Sequence, residues 1–167
     1  MLPEYKKILC ATDLGHTAPQ VLRHALSIAN RFGGDVVVLH VVEPLGPSAQ
    51  HMFELYAGTE VARQAEARWQ KVQDEVRALV RQFLEREGRP GAGGRNLVAD
   101  ARVLRGRPFE VIVQEAARLS ADLIVMGAHS HTTVGEILLG STAHRVAQNA
   151  SAPVMLVRLS EPDGPVP

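Results

Sequence analysis

Residues 36–42 read Val-Val-Val-Leu-His-Val-Val, a run almost without polar relief and dominated by β-branched side chains. A strand with one wetted face alternates apolar and polar residues. A continuous run of this kind suits a parallel strand covered on both faces. Parallel strands need crossovers, and the chain supplies amphipathic segments between four more short apolar runs: Lys7–Ala11, Leu97–Leu104, Leu123–Met126 and Pro153–Leu159. The expected architecture is α/β, a doubly wound five-stranded parallel sheet with helices on both faces.

The helical segments carry their own punctuation. Thr17-Ala18-Pro19-Gln20 resembles a capping box, with proline in the first turn. Val21, Leu22, Ala25, Ile28, Ala29 and Phe32 keep helical spacing until Gly33-Gly34 stops them. A long helix is expected from Glu60 to Glu87, with Val61, Ala65, Trp69, Val72, Val76, Leu79, Val80 and Phe83 as its inner stripe. Gly106-Arg107-Pro108 restarts a helix through Leu119, and Ser141 to Asn149 forms the last one. Leu45–Ser48 and Arg89–Arg95 are Pro/Gly-bearing loops. Residues 3–160 are expected to form one domain, without internal repeats, and 161–167 a loose tail.

Composition excludes more than it selects. Lys and Arg balance Asp and Glu at 18 each, so bulk charge points to neither nucleic acid nor an anionic membrane. No apolar run reaches the ~18 residues of a membrane span, and Met1–Lys7 lacks the apolar core of a signal peptide. The single Cys10 permits no intrachain disulfide and fits a cytoplasmic location. Inside an apolar strand it reads as a buried small hydrophobe.

The chemistry concentrates where a strand runs into Gly127 and, after a polar loop, Gly140-Ser141 opens a helix. Glycine at a strand end lets backbone approach a ligand closely. The start of a helix offers N–H groups that no helical acceptor has used, so the arrangement suits a phosphate. In open parallel sheets the ligand crevice lies beyond the carboxyl ends of the strands, where strand order reverses. The first and fourth strands meet there, which brings Thr12-Asp13 next to Gly127.

This segment resembles the nucleotide-binding loop of the universal stress protein family, G-x-x-G-x9-G-[ST], and the likeness runs from Tyr5 to Arg158. Gly127, Gly140 and Ser141 fill three of the four positions, and Ser130 replaces the second glycine. A Cβ there disfavours close approach, although the hydroxyl could donate to a phosphate oxygen. The resemblance implies strand order 3-2-1-4-5 and a binding set of Thr12, Asp13, Val41, Met126, Gly127, His129, Ser130, Gly140, Ser141 and Thr142. Val41 would take part through its backbone at the adenine edge, and His129 would lie near phosphate. The implied ligand is ATP, or ADP or AMP, with or without Mg²⁺. A carboxylate repels bare phosphate, so Asp13 suits the ribose hydroxyls or a cation; as a bare residue it reads equally as a turn former. His129, His131 and His144 lack a further ligand at telling spacing, so a metal site is the lesser reading. Arg107 reads as solvated.

The chain lacks G-x-x-x-x-G-K-[ST], G-x-S-x-G and H-E-x-x-H. The expected function is therefore adenine-nucleotide binding in stress signalling, with at most slow hydrolysis; the alternative is a nucleotide-free interaction protein of the same fold. The apolar final strand, arriving last, should lie at a sheet edge and pair with a second copy, as the resemblance also implies. An unknown protein partner is expected beyond that dimer.

Overall fold

The computed structural model describes residues 2–15, 17–43, 59–87, 96–128 and 139–158. Strands β1 (Lys7–Ala11), β2 (Asp35–Val42), β3 (Val98–Arg105), β4 (Leu123–Gly127) and β5 (Val154–Val157) form one sheet. All its pairings are parallel, in the order β3-β2-β1-β4-β5. Helices α1 (Ala18–Phe32), α2 (Thr59–Glu87), α3 (Pro108–Leu119) and α4 (Ser141–Asn149) alternate with the strands as the sequence pattern requires. The final strand is shorter than its apolar run.

Strand alternation divides the core in two. Ile8, Cys10, Val36, Val38, Leu123 and Val125 face α1 and α2, which contribute Val21, Leu22, Ala25 and Val80. Leu9, Leu39, Ile124 and Met126 face α3 and α4, which contribute Ile112, Ala116, Ala143 and Val146. Both faces of the central strands are thus dry, which accounts for their unbroken apolar runs. Cys10 is fully buried, and desolvation of its thiolate pushes the thiol pKa up to about 12.

Two expectations need correction. Thr17 occupies the cap position of α1 but its side chain makes no capping bond. Its backbone is already helical (φ −90°, ψ −8°), whereas a capping residue needs an extended backbone of its own; Thr17 is buried and lines the cavity described below. Leu79 does not belong to the inner stripe of α2 and is 52% exposed. The buried line runs Val76–Val80 with Phe83 beside it, and Leu79 lies about 100° around the helix from Val80. Val61 and Ala65 lie outside the residues whose side chains are described, as do the two Pro/Gly loops and the tail.

A β-bulge in β3 shapes the far edge of the sheet. Val98 pairs with Val36, but Asp100 rather than Ala99 pairs with Val37. The extra residue turns Asp100 and Arg102 onto the α3 face. Arg102 there binds Asp100 (2.7 Å) and Glu115, and Glu115 also accepts two bonds from Arg118 at 2.8 Å. Glu115 is thereby buried with its charge fully matched. The bond to Asp100, and behind it the bond to Glu115 and the two carboxylate charges, outweigh burial and push the Arg102 pKa above its already high ordinary value.

Candidate functional site

The chain turns sharply where β1 ends. Thr12 Oγ1 accepts the Leu14 N–H (3.1 Å) and Asp13 Oδ1 accepts the Gly15 N–H (2.9 Å). Leu14 is held at φ 61°, left-handed backbone that costs a non-glycine residue about 1–2 kcal/mol. Asp13 is therefore a turn former, as its sequence context allows, and it is also exposed on the wall of a cavity.

That cavity has a volume of about 310 Å³, at the lower end of the roughly 300–1,000 Å³ of small-molecule pockets. It sits beyond the carboxyl ends of β1, β2 and β4, at the point where strand order reverses. Of the ten residues expected to bind, it gathers seven: Thr12, Asp13, Val41, Met126, Gly127, Gly140 and Thr142. Ser141 stands beside them as the first residue of α4 but does not line the cavity. His129 and Ser130 lie outside the described residues, as does His131. His144 is exposed on α4, and Arg107 is exposed and paired with Glu110 at 3.3 Å. Among the described residues no group of three or more His, Cys, Asp or Glu side chains could hold a metal ion.

Two features prepare the α4 end of the cavity for an anion. The first intrahelical bond runs from His144 N–H to the Gly140 carbonyl (2.9 Å), so the N–H groups of Ser141, Thr142 and Ala143 have no acceptor within the helix. Gly140 supplies no capping side chain that would take one. These donors carry the positive end of the helix dipole. Gly140 has φ −57°, and Gly127 is absent from the positive-φ residues. Neither position therefore requires glycine for a special backbone conformation.

Sequence reasoning missed several wall residues. Thr17, His40, Pro108 and Ile112 all line the cavity. Pro108 and Ile112 were foreseeable, because every crossover helix of a parallel sheet starts at the carboxyl edge. His40 stands next to Val41, and its Nδ1 lies 2.9 Å from the Thr12 carbonyl. A carbonyl only accepts, so Nδ1 carries the ring proton and donates it.

Comparison with known proteins agrees with this layout. The family model described as the universal stress protein family matches residues 4–158. A universal stress protein of Thermus aquaticus, from the QAH/OAS sulfhydrylase 3′ region, is 34% identical over 92% of this chain and 99% of its own. Universal stress protein MJ0531 of Methanocaldococcus jannaschii is 32% identical over 92% of this chain and 82% of its own. Among solved structures, that of MJ0577 is 28% identical and superposes with a TM-score of 0.60 over 95% of this chain and 99% of that one. A universal stress protein crystallised with cAMP shares the fold at 20% identity, with a TM-score of 0.62 over 94% and 99% of the two chains. No helix among the described residues is long and apolar enough to cross a membrane. The sheet order, the strand-end glycine and the bare start of α4 thus coincide with a family match over nearly the whole length, and the chain belongs to the universal stress protein family.

Proposed function

We propose that this chain binds an adenine nucleotide, ATP foremost, in the cavity beyond β1, β2 and β4, and serves as a cytoplasmic nucleotide-responsive regulator. The observation that carries the reading is the juxtaposition of Gly127 with the first-turn N–H groups of Ser141, Thr142 and Ala143, which have no acceptor among the described residues. They offer the phosphates donors without an intervening side chain. The apolar wall of Leu39, Val41, Ile112 and Met126 suits a flat base. Asp13 then meets the ribose hydroxyls or a Mg²⁺ ion that screens it from phosphate. His129 and Ser130 complete the phosphate end in this reading.

Nothing on the described wall combines a nucleophile with a base that activates it, so hydrolysis, where it occurs, is slow. The active species in this reading is a homodimer formed through β5, an apolar strand at the sheet edge. Denaturing freshly purified protein and identifying the released small molecules by mass spectrometry tests the proposal. An adenine nucleotide near one per chain supports it. Protein that carries none and takes up none on incubation with ATP and Mg²⁺ favours the nucleotide-free interaction protein instead.

A further inference from the structure

We infer that His40 is a positioning residue for the ligand's ring: by occupying the Thr12 carbonyl it leaves the Val41 N–H as an open donor at the cavity. The inference rests on the nucleotide reading above for the identity of the ring, but its structural half stands on the backbone alone.

The phase of the ladder makes the point. Along β2 the residues that bond to β1 are the odd-numbered ones. Asp35 N–H donates to the Lys6 carbonyl (2.7 Å), and the Leu39 carbonyl accepts the Thr12 N–H (3.0 Å). Ala11 faces Leu39 in this register, so the next rung would run from the Val41 N–H to the Thr12 carbonyl. That carbonyl instead accepts the proton on His40 Nδ1 at 2.9 Å. Among the described residues no backbone bond from Val41 continues the ladder. Beyond Thr12 the chain curls into the Leu14–Gly15 turn, and both Thr12 and Val41 line the cavity. An N–H at a strand end, without its ladder acceptor and beside apolar walls, needs an in-plane acceptor to replace the lost rung. A ring nitrogen of a purine is such an acceptor on a flat apolar body that fits these walls, which a sugar phosphate alone does not supply.

Amide hydrogen exchange and ligand titration of three proteins test the inference. In the unliganded wild type the Val41 amide should exchange much faster than that of Leu39. His40→Phe removes the donor and frees the Thr12 carbonyl for Val41. Its Val41 amide should become protected, and its affinity for AMP should fall about three- to tenfold, the equivalent of one neutral hydrogen bond. His40→Asn, whose side-chain amide can stand in for the Nδ1–H, should restore both properties. Binding of ribose 5-phosphate, which has no base, should be the same in all three. A Val41 amide as protected as Leu39 in the wild type overturns the inference. So does an AMP affinity that His40→Phe leaves unchanged. Wild-type protein that binds no adenine nucleotide while the exchange pattern holds overturns the nucleotide reading and leaves only the structural half, the open Val41 N–H beside His40, standing. Should His40→Phe fail to fold, the wild-type exchange comparison decides alone.

Discussion

The Gly140 N–H donates to the Ala128 carbonyl at 2.9 Å. This one bond ties the start of α4 to the exit of β4. It fixes Ala128 and Gly140 against each other. The first-turn N–H groups of α4 and the Gly127 strand end are therefore held in relative position through a backbone bond.

Because the tie uses backbone, a side chain can be added at Gly140 without removing it. Gly140 also has an extended backbone that any residue adopts (φ −57°, ψ 143°). Gly140→Asp should fold normally and lose nucleotide binding, since it sets a carboxylate against the phosphates. At about 4 Å and an effective dielectric near 20 the repulsion is about 4 kcal/mol, or roughly three decades in Kd. Calorimetry checks the affinity and thermal melting checks the fold. Equal ATP affinity in the variant would remove α4 from the site.

The proposed dimer calls for a probe that leaves the monomer intact. Val157 is unsuitable, because it is buried within the α1/α2 face of the core. Met155 is half-buried on β5. The bonds Ile124 N–H to Pro153 carbonyl and Ala128 N–H to Val157 carbonyl show that the odd residues of β5 serve β4. The Leu156 N–H thus points away from β4, toward the free edge. Leu156→Pro and Met155→Lys should each shift the protein from dimer to monomer in light scattering, with helical circular dichroism retained. A wild type that is monomeric at micromolar concentration contradicts the dimer. A dimer that survives both changes lies elsewhere, and α2 is the next candidate.

Cys10 gives a pH prediction. Burial raises the thiol pKa from 9.0 to about 12, so the folded state holds its proton after the unfolded state has lost it. Between these values the folded state binds more protons, and stability falls as pH rises from about 9 toward 12. Below pH 9 this group leaves stability unchanged. A thiolate-directed reagent at pH 8 should leave native Cys10 unlabelled and modify it fully in denaturant. Rapid native labelling would show that the strand opens.

Gly34 joins α1 to β2 under β1. A Cβ there would lie 2.5 Å from the Tyr5 carbonyl oxygen and 2.6 Å from that of Lys6. Both atoms are backbone of the chain entering β1 and can yield only if that strand moves. Gly33, at φ 64°, has open space around a Cβ and pays only for its left-handed backbone. Gly33→Ala should cost about 1–2 kcal/mol, and Gly34→Ala more. Denaturant titration of the pair checks the order, which reverses if the Tyr5–Lys6 segment gives way freely.

The fold was legible because binary pattern and punctuation agreed: each apolar run became a strand and each 3.6-residue stripe a helix. The lining of the cavity was legible where backbone decides. Gly127 and Gly140 were placed by their position after β4 and before α4, and Asp13 by the end of β1. What stayed hidden depends on tertiary detail. The burial of Glu115 follows from the one-residue bulge at Ala99, and a bulge has no fixed sequence sign. Without it Ala99 and Ala101 would face α3, and the charges would face α2. Thr17 was misjudged because a threonine before a helix predicts a cap only if its own backbone is extended. His40 was passed over as one polar residue in an apolar strand, since the acceptor it meets comes from a turn 28 positions away in the sequence.

The most direct test of the account is calorimetric titration of nucleotide-stripped, folded protein with ATP in the presence of Mg²⁺. The account predicts saturable binding of one ATP per chain that Gly140→Asp abolishes. No saturable heat with ATP, ADP or AMP, from protein whose melting transition is intact, would contradict it.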